Sequence, residues 1–230
     1  KKLTLLLCFF VFNSFASINI TSFNIRNFDK KGKGTDKGEL HAILKGLDSD
    51  IVAVQEIYND KSFVNFTQKY LPGYKLQLST CGGGGQQKLG FLYKDEKVEL
   101  LNHVEDSKIS DPDDIVTSYG CGSLRPALLG FFKERKTNKK FVAVSVHLKA
   151  GSGTKYYAKR ARQYAYITKM IRALRLANHK DIVVLGDFNT TGFDLQDQDY
   201  KKFMYMLGQT GTETASKNIG CSSYWSGNIY

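Results

Sequence analysis

The feature that most restricts the fold is a set of short apolar runs, each ending in polar or charged residues. Ile51-Val52-Ala53-Val54 leads into Gln55-Glu56, and Ile182-Val183-Val184-Leu185 leads into Gly186-Asp187-Phe188-Asn189. Four apolar residues without alternation are the mark of a strand covered on both faces. Between such runs the period changes to 3.6. Residues 36–47 predict a helix, with Asp36 and Glu39 resembling a capping box and Leu40, Ile43, Leu44 and Leu47 on one face. Residues 61–70 predict a second helix, stopped by Pro72-Gly73. Residues 158–177 predict the longest, with Ile167, Met170, Ile171, Leu174 and Leu176 as a core-facing stripe. A short helix is expected near 200–207. Further strands are expected at 17–24, 74–78, 89–93, 98–101, 126–132, 141–148 and near 222–225. Residues 82–85 read as a glycine turn and 105–123 as a surface loop. With no repeat, linker or low-complexity tract, 230 residues of this alternation predict one α/β domain.

Both ends of the chain read differently. Lys1 and Lys2 precede the apolar run Leu3 to Phe12, and the small residues Ser14 and Ala16 follow. That pattern predicts a signal peptide over 1–16, leaving 17–230 as the domain. A run this short cannot span a bilayer, so no stable membrane anchor is expected. The chain is therefore placed outside the cytoplasm, secreted or periplasmic, and is expected to be monomeric. An oxidising compartment permits disulfides. Among Cys81, Cys121 and Cys221, the expected bridge is Cys81–Cys121, with Cys221 free or paired beyond residue 230.

Composition narrows the function classes. The chain is 42% hydrophobic and 24% charged with three prolines, which excludes collagens, disordered tails and disulfide-dense miniproteins. Its formal charge is +11; without Lys1 and Lys2 there are 31 basic and 22 acidic residues, or +9. Such an excess suits either a polyanionic partner or simple solubility. Five of the basic residues, Lys149, Lys155, Lys159, Arg160 and Arg162, fall in one stretch where a glycine-bearing loop enters a helix. That arrangement suits a phosphate backbone.

The polar strand ends hold Asn24, Glu56, His147, Asp187 and Asn189, with Arg125 in the loop before Pro126. In α/β sheets, carboxyl-terminal strand ends converge on one crevice. The segments Ser22-Phe23-Asn24-Ile25-Arg26, Val54-Gln55-Glu56, Gly90-Phe91-Leu92-Tyr93, Leu124-Arg125-Pro126, Ser145-Val146-His147-Leu148-Lys149 and Leu185-Gly186-Asp187-Phe188-Asn189 resemble the endonuclease/exonuclease/phosphatase superfamily in order and spacing. The group contains pancreatic-type deoxyribonuclease.

The resemblance implies a four-layer α/β-sandwich, two packed, mainly antiparallel sheets flanked by helices. It also implies a divalent-metal hydrolase of phosphate esters, here a DNA endonuclease. Glu56 and Asn24 would serve Mg²⁺, with Mn²⁺ or Ca²⁺ as alternatives because all accept oxygen ligands. His147, Asp187 and Asn189 would be catalytic, and Arg125, Lys149 and Arg160 would meet substrate phosphate. The same fold admits a phosphomonoesterase, a phospholipid-cleaving phosphodiesterase or an inactive nucleic-acid-binding homologue.

Two departures from the family pattern stand out. Pancreatic-type nucleases place a glutamate beside the active-site histidine, where this chain has Gln86-Gln87-Lys88. The family also closes with an Asp-His pair after a Ser-Tyr-Trp strand; here Ser223-Tyr224-Trp225 occurs, but the pair does not follow before Tyr230. A fragment of a longer chain and a dead homologue both fit that ending.

Overall fold

The computed structural model describes residues 18–32, 34–110, 122–192 and 196–215. The expected signal peptide, Cys121, Cys221 and the strand near 222–225 lie outside them. In chain order the elements are β1 (Ile20–Phe28), α1 (Lys37–Leu47), β2 (Ile51–Ile57), α2 (Asp60–Tyr70), β3 (Tyr74–Leu78), β4 (Lys88–Lys94), β5 (Val98–Asp106), β6 (Ala127–Glu134), β7 (Lys140–His147), α3 (Thr154–Leu176), β8 (Ile182–Asp187) and α4 (Gln198–Thr210).

Among the described residues the strands form two four-stranded sheets, ordered β1-β2-β4-β3 and β5-β6-β7-β8. Each has one parallel pair at an edge, β1 with β2 and β7 with β8; the remaining pairs are antiparallel. The sheets pack face to face with helices outside, which is the expected four-layer sandwich.

The period of two divides the side chains among three cores. Along β2, Val52 and Val54 meet α1 and α2 residues such as Leu44 and Phe63, whereas Ile51 and Ala53 face the other sheet. Along β7, Val142, Val144 and Val146 pack against Ile167 and Ile171 of α3, and Ala143 faces inward. Phe91 and Phe132 meet edge to face between the sheets, with centroids 5.6 Å apart. Each such buried side chain contributes about 1.5–3 kcal/mol. Gly130 makes room for this contact: a Cβ there would lie 2.4 Å from the Phe132 ring.

Local signals set the helix ends. Asp36 caps α1 by accepting the Glu39 N–H at 2.9 Å, and Asn59 caps α2 through the Ser62 N–H at 3.1 Å. Four expectations are corrected. On α1 only Leu40 and Leu44 are buried, while Ile43 is 46% exposed, because sheet contact needs a narrower stripe than four leucine-like residues supply. Leu176, at the end of α3, is 89% exposed, two residues beyond the last buried position, Leu174. The loop expected over 105–123 begins as strand: β5 runs to Asp106, and a 3₁₀ turn at Ser107–Ile109 buries Ile109 against α3. β8, expected to be fully covered, is half-buried along its length, since among the described residues it pairs on one side only.

Candidate metal and phosphoester site

The site lies where the carboxyl ends of the two parallel pairs meet. β1 carries Asn24, β2 Glu56, β7 His147 and β8 Asp187. Three of them follow from strand parity. Asn24 shares a face with Ile20 and Ser22, His147 with Ala143 and Ser145, and Asp187 with Val183 and Leu185, all turned toward the opposite sheet.

Glu56 does not follow from parity. It sits in register with Val52 and Val54, which face the helices. A bulge re-aims it: between Val54↔Gly90 and Ile57↔Lys88, β2 carries one residue more than β4. Glu56 itself adopts φ 66°, a left-handed conformation that costs a non-glycine residue about 1 kcal/mol or more. β1 is irregular at the same level, with Arg26 and Asn27 also at positive φ.

The Asn24 side-chain amide donates to Glu56 Oε1 and to Asp187 Oδ2, both at 2.9 Å, so one residue bridges a carboxylate from each sheet. Its carbonyl accepts the Arg26 N–H at 2.9 Å. His147 Nε2 lies 3.7 Å from Glu56 Oε1 and 3.8 Å from Asp187 Oδ2. Candidate ligand atoms of Glu56, His147 and Asp187 all lie within 4.8 Å of one another. Beneath them sits a small polar layer: Ser22 Oγ donates to Gln55 Oε1, and Gln55 Nε2 reaches Ser145 Oγ.

Two carboxylates facing one space repel unless a cation neutralises them. Part of that charge comes from Arg125, which is 8% exposed. Burial holds its guanidinium down to about 10, while Glu56 and Asp187 pull it upward, so it stays charged at neutral pH. Burial, and then the Arg125 charge, push His147 well below its ordinary value, so its imidazole is neutral at pH 7. Arg125 Nε and His147 Nδ1 are buried with no partner among the described residues. Gln87 is not a partner for the histidine; it donates to Asn27 Oδ1 at 3.0 Å.

The carbonyl of Leu148 organises the phosphate side. It accepts Arg125 Nη2 at 2.7 Å and Asn189 Nδ2 at 3.2 Å. Asn189, at φ 50°, folds back so that its own N–H caps Asp187 Oδ1 at 2.9 Å. Lys149 follows, half-buried, its ammonium 5.1 Å from the Tyr156 ring. Burial lowers its pKa, as do the charges of Arg125, Lys159, Lys155 and Arg160.

Seven of the eight expected residues thus gather at one end of the sandwich. Arg160 does not face it. Its side chain is fully buried, with Nε 2.9–3.0 Å from the Asp199 carboxylate oxygens, so it has no surface to offer a substrate phosphate. Sequence reasoning missed Asp199, Gln55 and Ser145; the last two carried a signal, as polar residues at inward-facing positions of apolar strands.

The paired carboxylates of Glu56 and Asp187 offer the hard oxygens that suit a divalent ion such as Mg²⁺, whereas Asn24, expected as a ligand, turns its Nδ2 toward them and its oxygen toward the Arg26 N–H. Among solved structures, a functionally unknown conserved protein from Enterococcus faecalis superposes with a TM-score of 0.62 at 21% identity, covering 82% of this chain and 72% of the other. A mannosyl-6-phosphatase from Bacteroides thetaiotaomicron gives 0.61 at 20% identity, covering 82% and 70%. TDP2 of D. rerio, complexed with a single-strand DNA product, gives 0.58 at 16%, covering 86% and 66%. At these identities the likeness is one of fold. No curated protein matches the chain by sequence. A family model does match, over residues 21–228, and the chain belongs to the Endonuclease/Exonuclease/phosphatase family.

Proposed function

We propose that this chain is a secreted, Mg²⁺-dependent phosphodiesterase that cleaves DNA internally. Members of its family hydrolyse phosphoester bonds and depend on divalent metal. The observation that carries the reading is the Asn24 amide bridging Glu56 and Asp187 beside a neutral His147 and a buried, charged Arg125.

Glu56 would hold the metal, with Asn24 beside it as a positioning residue; the metal would polarise a phosphoryl oxygen and relieve charge on the transition state. The residues supply the rest. Asp187, fixed at Oδ1 by the Asn189 N–H, orients the attacking water and takes its proton. The water oxygen forms the new P–O bond as the bond to the leaving oxygen breaks, and the departing alkoxide takes a proton from solvent water. Arg125 and Asn189, tied to one carbonyl, receive the phosphate oxygens. His147 presents its Nε2 to the same space and stabilises charge on the phosphoryl group.

DNA is favoured over a small ester by the basic rim of Lys149, before α3, with Lys155 and Lys159 in its first turns, together with the formal charge of +9 left without Lys1 and Lys2. Secretion rests on the basic, apolar and small-residue pattern of residues 1–16. Among the described residues no helix is long and apolar enough to cross a membrane.

Purified protein with its disulfide intact, incubated with supercoiled plasmid and Mg²⁺, should nick and linearise it; EDTA and Asp187→Ala should stop the reaction. Intact plasmid with turnover of phosphate monoesters or phospholipid would replace the nuclease reading. Tight DNA binding with no hydrolysis of any ester would point to a binding protein.

A further inference from the structure

Arg160 is too buried for the substrate role its place in the sequence suggests, and its contacts give it another. Its planar fork spans two groups. Nε and Nη2 face the Asp199 carboxylate, with Nη2 2.8 Å from Oδ2. Nη1 donates to the carbonyls of Lys149 at 2.6 Å and Gly151 at 2.8 Å, in the loop that begins directly after His147. Asp199, in the first turn of α4, accepts the Thr191 N–H at 2.9 Å, in the loop that carries Asn189. Both side chains are buried, Arg160 at 0% and Asp199 at 1% exposure.

Neighbours on α3 complete the arrangement. Gln163, three residues beyond Arg160, accepts the Lys149 N–H at 2.9 Å, so α3 takes both main-chain polar groups of Lys149. The Tyr164 hydroxyl bonds Thr190 Oγ1 at 2.8 Å. Between these fixed points lies the Leu148 carbonyl, which holds Arg125 and Asn189. A desolvated ion pair is a poor source of stability, since an apolar pair of the same volume serves as well. What an apolar pair would not supply is the fixed spacing of the two loops.

We propose that the buried Arg160–Asp199 pair is a positioning device that holds the loops after β7 and β8 in the register the site requires. The proposal rests on the phosphoester reading of that site, because register matters to turnover only if the loops serve it. Arg160 and Asp199 act through the main chain of Lys149, Gly151 and Thr191, and thereby on Asn189 and Arg125.

Two variants test it: Arg160→Lys, which keeps the buried charges paired but cannot also reach both carbonyls, and the double variant Arg160→Leu/Asp199→Leu, which leaves no orphaned charge. Each is measured for thermal melting, for amide exchange at Lys149 and Thr191, and for turnover of bis(p-nitrophenyl) phosphate with Mg²⁺. Folded variants should exchange the Thr191 amide faster, and kcat should fall about tenfold to a hundredfold while KM stays within about threefold. A folded variant with wild-type kcat overturns the proposal. A raised KM with kcat held would make Arg160 a substrate contact and overturns it too. If the wild-type protein turns over no phosphoester, the proposed function has failed, and the exchange measurement then decides separately whether the pair fixes the loops. If the double variant does not fold, Arg160→Lys carries the test.

Discussion

Replacing Arg125 with methionine should separate function from stability. The guanidinium is 8% exposed and burial holds it down to about 10. Each tenfold change in acidity is worth about 1.4 kcal/mol, so the charged form carries a net penalty of roughly 3 kcal/mol in the folded state, burial outweighing the pull of Glu56 and Asp187. The sign follows from linkage: the folded protein binds this proton less tightly than the unfolded chain, so the penalty is full at neutral pH and is relieved only as pH rises through about 10. Arg125→Met removes that penalty. It also removes the hydrogen bond to the Leu148 carbonyl, worth roughly 1.5–3 kcal/mol for a charged donor. The two nearly cancel, and net stability should change by no more than about 2 kcal/mol, a Tm shift within about 8 °C. Activity should behave differently. Loss of a preorganised donor at the phosphate should cost about a hundredfold in kcat. Differential scanning calorimetry and plasmid nicking on one preparation measure both. A Tm lowered by more than about 12 °C would show that Arg125 is a structural anchor, and undiminished nicking would remove it from the phosphate site.

Metal should protect the folded state. At a hundred times its dissociation constant Mg²⁺ should add about 2.7 kcal/mol, read as a higher Tm, and Asn24→Ala, Glu56→Gln and Asp187→Asn should each diminish that gain. His147 is buried neutral, so the unfolded chain takes up a proton that the native state refuses. Stability should therefore fall as pH drops below about 6.5, and His147→Asn should flatten that slope in a pH series of denaturant melts. Gly186 has φ 137°, and a Cβ there would lie 1.9 Å from the Val146 carbonyl oxygen. Gly186→Ala has no side chain to move aside and should cost more than about 4 kcal/mol in thermal melts. Nicking at fixed enzyme concentration should weaken as salt is raised, and Lys155→Ala/Lys159→Ala should lessen the salt slope.

Much of this architecture was legible in the sequence because strands and helices announce themselves by period. The Asp36 cap, the apolar run at Ile51 and the stripe at Ile167 and Ile171 are local signals, and the elements stand where those signals put them. Period two also gives the inward face to Asn24, His147 and Asp187 once the strands are placed. It assigns Glu56 to the wrong face, because a bulge is a property of two paired strands and leaves no periodic trace in one. Arg160 was misread for a related reason. A basic run predicts charge at a surface, and nothing within it shows that Asp199, 39 residues away, draws one member inside. The exposure of Ile43 and Leu176 comes from the same source: local pattern gives a direction, and tertiary contact decides how far coverage extends.

The two parallel pairs that build the site belong to different sheets. Among the described residues, no strand-to-strand hydrogen-bond ladder links Asn24 and Glu56 on one side to His147 and Asp187 on the other. Their spacing is gauged by the Asn24 bridge and by the thickness of the apolar filling between the layers, with Phe91 against Phe132 and the gap left at Gly130. The hydrophobic interior therefore works as a spacer block for the chemistry. A change of a single methylene in that filling would alter the distance between the two carboxylates without touching either, so catalytic fine tuning in this fold is open to residues that never meet the substrate.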